Sequence, residues 1–253
     1  MSRPQPRKVD KLDFIVAGAQ KCGTTALHYF LEKHPDIALP DKQELHFFDN
    51  EDVFAKEPDY KLLHDSFHPR SSWLVAGEST PVYIYRPQVI ERIWNYNKAI
   101  KLIVILRNPV LRAFSHWNMQ RERGFDDLDF LAAIKEEKNR LKEASPLQSR
   151  RFAYIDRGLY SKQLKSVFRI FRRDQVKVIK FEDFRNDQVR VMNAIFTFIR
   201  VRALRKLRSK ERNVIPYARK ITGQERRYVY KLFQQDIADL ERLLNWDCSD
   251  WNM

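Results

Sequence analysis

An eight-residue loop carries the residues of this chain whose types and spacing are most suited to chemistry. Residues 18–25 read Gly-Ala-Gln-Lys-Cys-Gly-Thr-Thr, after an apolar run at 14–17 and before a helix-prone run at 26–33. The predicted order is strand, loop and helix. Such a loop turns its backbone N–H groups and the positive end of the helix dipole toward an anion that Lys21 also reaches. An ordinary strand-to-helix turn rich in small residues fits the same letters.

This loop differs from the phosphate loop of nucleoside-triphosphate enzymes. That loop has its lysine directly after the second glycine, followed by a hydroxyl that binds Mg²⁺. Here Lys21 lies inside the loop and Thr24 follows Gly23. Such enzymes also need a carboxylate at the end of a neighbouring strand, but the candidate strand 101–106 runs into Arg107. We therefore expect a phosphorylated ligand that binds without a metal ion.

A second group of reactive side chains lies at residues 44–49, which read Glu-Leu-His-Phe-Phe-Asp. If this segment is extended, Glu44 and His46 point the same way. A desolvated glutamate beside a histidine is a candidate general base. A solvated loop anchored by Phe47 and Phe48 explains the same residues equally well.

A third group, at residues 107–117, is a further candidate for phosphate binding. Pro109 suits the first turn of a helix, Arg107 precedes it, and Ser115 lies two helical turns on. The guanidinium of arginine suits phosphate because it offers a fork of N–H donors. A lone arginine is usually only a surface charge, so this segment is informative only together with the loop at 18–25.

The elements around these groups predict an α/β fold, with a central parallel sheet flanked by helices in one domain over residues 12–253. Residues 1–11 are expected to be a flexible basic tail. The predicted strands are 14–17, 73–77, 101–106 and 176–181, and the predicted helices include 88–95 and 160–171. A capping box at 222–225 predicts a long final helix. Its expected core stripe is Val229, Leu232, Phe233, Leu240 and Leu243.

Composition limits the class of partner. The formal charge of +14 indicates anionic partners, which leaves nucleic acid, acidic glycan, anionic lipid and a phosphorylated cofactor open. The basic run at 200–212 fits a solvated helix face, or a contact with an acidic glycan or a membrane surface. No apolar run approaches the ~20 residues that span a bilayer. Two cysteines make no disulfide framework, which favours a reducing compartment, and there is no zinc-ligand spacing.

Taken together and in this order, residues 18–25, 44–49 and 107–115 resemble the sulfotransferases that use 3′-phosphoadenosine 5′-phosphosulfate (PAPS). The likeness is greatest to the carbohydrate, heparan-type branch and its bacterial relatives. It implies that the 5′-phosphosulfate is bound by Ala19, Gln20, Lys21, Cys22, Gly23, Thr24 and Thr25. It also implies that no metal is required and that the product is adenosine 3′,5′-bisphosphate.

The resemblance implies roles for the other groups as well. Arg107 and Ser115 match the element that binds the 3′-phosphate, while Lys210 and Arg212 are candidates for a later loop with the same task. The match at 44–49 implies Glu44 as the base, His46 as its partner or substitute, and Asp49 as an orienting group, with Lys21 neutralising charge on the leaving phosphate.

One position departs from the family pattern, since heparan-type enzymes often carry lysine where this chain has Ser79. The expected reaction is sulfuryl transfer to a hydroxyl or amine of an acceptor, a glycan or another hydroxylated molecule. Nucleic acid is not expected as a partner, peripheral membrane contact stays open, and so does the oligomeric state. The expected location is the bacterial cytoplasm, unless the chain is an excised soluble catalytic domain. A P-loop kinase or NTPase and a non-catalytic polyanion-binding protein are the alternatives.

Overall fold

The computed structural model of the 253-residue chain describes residues 8–69, 72–143, 149–204, 217 and 219–252. Lys210 and Arg212 lie outside the described residues, so their proposed role stays a prediction. The chain divides into two compact units. The sheet unit comprises Met1–Leu106 and Ser166–Asn213, and the helical unit comprises Arg107–Lys165 and Val214–Met253. The single domain expected over 12–253 stays a prediction.

Five parallel strands form the sheet of the sheet unit. They are β1 (Phe14–Gly18), β2 (Ile37–Ala38), β3 (Val75–Ser79), β4 (Lys101–Leu106) and β5 (Val176–Lys180). Their order across the sheet is β2-β3-β1-β4-β5. Every residue of β1 and β3 is buried. Because successive side chains point to opposite faces, both faces of these strands are covered, as in other parallel sheets. The predicted α/β class with a central parallel sheet is confirmed.

The helices follow the strands in alternation through the first half of the chain. They are α1 (Thr24–Glu32), α2 (Glu51–Phe54), α3 (Lys61–His64), α4 (Pro87–Tyr96), α5 (Pro109–Glu122), α6 (Phe130–Glu143), α7 (Ser149–Phe152), α8 (Tyr160–Phe168), α9 (Phe181–Asn186), α10 (Gln188–Ile199) and α11 (Gly223–Leu244). Short 3₁₀ turns lie at Tyr83–Tyr85, Asp156–Gly158, Arg173–Gln175 and Ser249–Trp251. Within the sheet unit, α1 contacts β1 and β2, while α9 and α10 contact β5.

The strand order predicts a ligand-binding crevice at the carboxyl end of β1. After β1 the chain builds β2 and β3 on one side, and then crosses to build β4 and β5 on the other. Open parallel sheets bind ligands where the strand order reverses in this way. The loop at 18–25 leaves β1 at this point, and Ser79 ends the neighbouring β3. The strand predicted at 73–77 is observed at Val75–Ser79, so Ser79 lies at its carboxyl end.

Two helices in the helical unit begin where the sequence predicted, and the cap of α5 by Asn108 is an addition from the structure. The side chain of Asn108 accepts hydrogen bonds from the N–H groups of Val110 and Leu111, and Pro109 occupies the first turn of α5. The capping box at 222–225 begins α11. Most of the expected stripe on α11 is buried at Val229, Phe233 and Leu240. Leu232 was wrongly included, since it is 43% exposed and lies roughly 100° around the helix from Phe233.

Candidate functional site

The phosphate loop, residues 18–25, needs a glycine where it enters α1. Gly23 has φ of +92°, a conformation that L side chains rarely adopt. A Cβ added there would lie 2.7 Å from a ring carbon of Phe181. The backbone also ties the loop to the sheet, because the N–H of Ala19 donates to the carbonyl of Ile105 at 2.9 Å and the N–H of Cys22 donates to the carbonyl of Ala19 at 3.1 Å. Both the backbone conformation and the closeness of Phe181 therefore require glycine at position 23.

The N-terminus of α1 is open to an anion. No side-chain cap closes this end among the described residues, and its first turn carries no acidic residue. The carbonyl of Gly23 accepts from the N–H groups of Ala26 and Leu27. The N–H groups of Gly23, Thr24 and Thr25 have no acceptor in the described part of the chain. Unsatisfied donors at a helix N-terminus fit a phosphate or sulfate group, and the 5′-phosphosulfate role of this loop stays a prediction.

The base loop, residues 44–49, has a conformation that the sequence did not predict. Glu44 and His46 have φ of 61° and 55°, so the segment is not extended. Two hydrogen bonds from the end of β3 and the residue after it hold this shape. The N–H of Glu44 donates to the carbonyl of Ser79 at 3.1 Å, and the N–H of His46 donates to Oγ1 of Thr80 at 3.4 Å. The two side chains meet because tertiary contacts turn the backbone twice.

His46 lies between two carboxylates. Its Nδ1 is 3.2 Å from both oxygens of Asp49, and its Nε2 is 3.6 Å from Oε2 of Glu44. The hydrogen bond to Asp49, together with the close carboxylate of Glu44, raises the pKa of His46 to about 9. The imidazole is therefore protonated at neutral pH. Asp49 is buried, whereas the side chains of Glu44 and His46 are each 40% exposed, so Glu44 is not desolvated against the two phenylalanines that follow.

A buried polar network that the sequence did not predict supports the base loop. Thr80 Oγ1 donates to Oε2 of Glu78 at 2.8 Å, and the hydroxyl of Tyr83 accepts from the N–H of Phe48 at 3.3 Å. The side chain of Glu78 is fully buried, and this burial raises its pKa to about 8. The only sequence signal was a cluster of polar residues followed by proline at the end of a strand.

Another side chain that sequence reasoning missed is His28 on α1. Its Nδ1 lies 3.0 Å from Oγ of Ser79, the position at which heparan-type relatives often carry lysine. Burial lowers the pKa of His28, although the charges of Glu32 and Glu44 act in the opposite direction. In the sequence, His28 stood within an ordinary amphipathic helix. Only the sheet order brings it to the end of β3.

In the helical unit, Arg107 and Ser115 lie at the start and within the first two turns of α5. Asn108 connects this start to the C-terminal segment, because its Nδ2 donates to the carbonyl of Trp251 at 3.0 Å. The hydroxyl of Tyr160 donates to the carbonyl of Arg107 at 2.9 Å. Ser115 is 5% exposed. The 3′-phosphate role of Arg107 and Ser115 stays a prediction.

Three further features concern metal ligands, membrane-crossing helices and cysteines. Within the described ranges, no group of three or more His, Cys, Asp or Glu side chains is arranged to hold a metal ion. Among the helices the structure describes, none combines the length and the apolar character needed to cross a membrane. Both cysteines, Cys22 and Cys248, are buried and not bridged.

Comparison with known proteins identifies the family. The family model described as sulfotransferase domain matches residues 11–218. The membrane-associated sulfotransferase kil1 of Dictyostelium discoideum is 36% identical over 107 residues, which cover 42% of this chain and 22% of that protein. Heparan sulfate glucosamine 3-O-sulfotransferase 5 of Mus musculus is 36% identical over 109 residues, which cover 43% of this chain and 30% of that protein. The matches thus span less than a third of either relative.

A solved structure matches nearly the whole chain. The crystal structure of a sulfotransferase from Alicyclobacillus acidocaldarius aligns with a TM-score of 0.82 and 29% sequence identity, over 97% of this chain and 100% of that one. The family model covers most of the sequence, including the phosphate loop, the base loop and the start of α5. This chain therefore belongs to the sulfotransferase family, whose members use PAPS as the sulfuryl donor.

Proposed function

We propose that this protein transfers the sulfuryl group of PAPS to a hydroxyl of a carbohydrate acceptor. The observation that carries the proposal is the open N-terminus of α1, where three backbone N–H groups without an acceptor among the described residues follow Lys21. These donors suit an anion, and the family supplies the identity of the donor nucleotide. In the reaction, the bond from sulfur to the phosphate oxygen breaks while a bond forms from sulfur to the acceptor oxygen.

The phosphate loop has the groups to stabilise the leaving phosphate. Negative charge develops on its bridging oxygen as the sulfuryl group departs, and preorganised N–H donors lower the free energy of that state. Lys21 adds a full positive charge within the same loop. By resemblance to the family, Arg107 and Ser115 hold the 3′-phosphate, and Lys210 and Arg212 remain candidates for the same group.

Glu44 is the proposed base that removes the acceptor's proton. An alcohol is a weak nucleophile until its proton leaves, so a positioned acceptor for that proton is needed. His46 is disfavoured for this task because its raised pKa, about 9, leaves it protonated at neutral pH. Its imidazolium instead bridges Glu44 and Asp49, which orients the glutamate.

Two observations support a glycan hydroxyl as the acceptor. Several relatives are named heparan sulfate glucosamine 3-O-sulfotransferases, and that name gives a hydroxyl of heparan sulfate as their acceptor. The formal charge of +14 on this chain suits an acidic polymer as well. A hydroxyl is therefore proposed over an amine, and a glycan over a small metabolite.

Nucleotide affinity and donor cleavage test the function. Wild-type protein should bind adenosine 3′,5′-bisphosphate in EDTA as tightly as with Mg²⁺, and should release sulfur label from PAPS to a glycan panel. Lys21→Ala should lower the turnover by ~10²–10³-fold. Lys98→Ala, an exposed lysine on the same unit, is the matched control.

Two outcomes would contradict the proposal. Preference for Mg-ATP over the bisphosphate would assign the chain to the kinase or NTPase class. Binding of a polyanion that falls steeply with salt, without nucleotide binding, would indicate a non-catalytic protein. Arg107→Ala is expected to lower the affinity for the bisphosphate while leaving that for adenosine 5′-phosphate nearly unchanged. An equal loss of affinity for both nucleotides would contradict the role of Arg107 in binding the 3′-phosphate.

A further inference from the structure

His28 and Ser79 form a pair beside the two reactive loops. His28 lies one helical turn after Thr24, the first residue of α1, and its Nδ1 is 3.0 Å from Oγ of Ser79. Ser79 is 1% exposed, whereas His28 is half-buried. The second ring nitrogen of His28, Nε2, has no partner in the described part of the chain.

Ser79 connects His28 to the base loop. Its side chain contacts His28, while its carbonyl accepts the N–H of Glu44 at 3.1 Å. The charge of Glu44 also acts on the imidazole of His28. His28 therefore lies one helical turn from the helix end that fits the donor anion, and Ser79 links it to the backbone of the residue proposed as the base.

We propose that His28 donates a hydrogen bond from Nε2 to the sulfuryl group as it is transferred, with Ser79 as the positioning residue. This inference rests on the proposed function. The sulfuryl group moves from the end of α1 toward the acceptor oxygen at Glu44, and its oxygens carry negative charge throughout. A hydroxyl that donates to Nδ1 leaves the ring proton on Nε2, which is the nitrogen without a protein partner.

The electrostatics of the pair agree with this geometry. Burial lowers the pKa of His28, and the groups that oppose this are Glu32 on the same helix and Glu44 from the base loop. The uncharged hydroxyl of Ser79 faces the ring from β3. A neutral imidazole with one defined tautomer is a directed N–H donor. An arriving anion raises the pKa of the ring, because it favours the protonated form, which also donates from Nε2.

The first experiment reads the imidazole directly in the wild-type full chain. Nitrogen-15 NMR of His28 is recorded free, with adenosine 3′,5′-bisphosphate, and with PAPS, which differs from it by the sulfuryl group. PAPS should shift the Nε2 resonance and raise the pKa of His28 by about one unit beyond the bisphosphate. Equal effects of the two nucleotides would overturn the proposal without touching the proposed function.

The second experiment uses cleavage of labelled PAPS in single and double variants. His28→Ala should reduce kcat by ~10²-fold and leave the Kd of the bisphosphate within about twofold. His28→Gln, which keeps an N–H donor, should recover part of that loss. Ser79→Ala should cost ~10-fold, and the double variant should be no slower than His28→Ala. His68→Ala, an exposed histidine of the same unit, is the control.

The outcomes separate the two proposals. Full kcat in His28→Ala, or additive losses in the double variant, would overturn the role of the pair while wild-type turnover preserves the function. Wild-type protein that neither cleaves PAPS nor binds the bisphosphate would overturn the proposed function itself. Because the NMR readout uses unaltered protein, a variant that fails to fold leaves the test intact.

Discussion

The phosphate loop and the base loop lie in the same unit but obtain their geometry in different ways. The phosphate loop depends on the backbone, through a glycine of positive φ and the open end of α1. The base loop depends on side chains from β3 and the turn after it, through Thr80, Tyr83 and the buried Glu78. The turn of the first depends mainly on its own glycine and helix end, with one hydrogen bond from Ala19 to Ile105 tying it to the sheet. The second depends on hydrogen bonds to residues more than thirty positions away.

This difference has a consequence for mutation. In the phosphate loop a substitution of the turn glycine should act on donor binding through local strain. In the base loop, substitutions in the distant support should change turnover and leave donor binding intact. The following predictions test that division.

The largest effect is expected at Glu44. Glu44→Gln keeps the size of the side chain but cannot accept a proton, so kcat should fall by ~10²–10⁴-fold with an unchanged Kd for adenosine 3′,5′-bisphosphate. Labelled-donor turnover and calorimetry measure the two quantities. The dependence of kcat on pH is measured for Glu44→Gln and for His46→Asn. Full activity in Glu44→Gln with collapse only in His46→Asn would transfer the role of the base to the histidine.

The second prediction concerns Glu78 and stability. Its pKa is raised from 4.5 to about 8, so between these values the unfolded chain releases a proton that the folded chain keeps. Stability is thus lost as pH rises, and Glu78→Gln removes this loss. Between pH 4.5 and 6.5, which lies below the ordinary pKa of His46, the free energy of unfolding of the variant should rise by about 2 kcal/mol relative to that of wild type.

Urea unfolding at several pH values measures this gain. Glu91→Gln, an exposed glutamate on α4, is the matched control and should show no such trend. A stability difference between Glu78→Gln and wild type that is constant over this pH range would show that Glu78 is ionised in the folded protein.

The third prediction concerns Gly23 in the phosphate loop. Gly23→Ala adds strain at φ of +92° and places a Cβ 2.7 Å from Phe181, so the loop must shift. Strain of this kind costs ~1–3 kcal/mol, and we expect bisphosphate affinity to fall by ~10–100-fold. Gly124→Ala is the control, because its φ is also positive but nothing lies within 4 Å of the added atom. Equal loss of affinity in both variants would make the effect one of general stability.

The smallest effect is expected at Thr80. Thr80→Val removes the hydroxyl that accepts from the N–H of His46 and donates to Glu78, so kcat should fall by ~10-fold at unchanged donor affinity. Thr80→Ser should retain activity. Thr197→Val, at an exposed threonine of α10, is the control. A change in donor affinity instead of kcat would contradict the separation between the two loops.

Several features followed from the amino-acid order alone. Apolar runs, glycine spacing and helix-start signals are local, so the strands β1 and β4, the helix α1 and the loop between β1 and α1 were predicted nearly at their observed bounds. The start of α5 at Pro109 was predicted as well. The α/β class followed from the same alternation. The residue types of the base loop were also evident, as was their resemblance to a sulfotransferase base segment.

Other features depended on the sheet. Its order brings β3 beside β1, which places Ser79 against His28 across 51 positions of sequence and Thr80 against His46 across 34. Hydrogen bonds to this strand end hold the positive φ values of Glu44 and His46. The turned loop brings Asp49 and Glu44 to His46 and raises its pKa, while burial raises the pKa of Glu78. Periodicity reports which side of an element is apolar, but strand pairing and desolvation depend on distant neighbours. Those neighbours are assembled only when the chain folds.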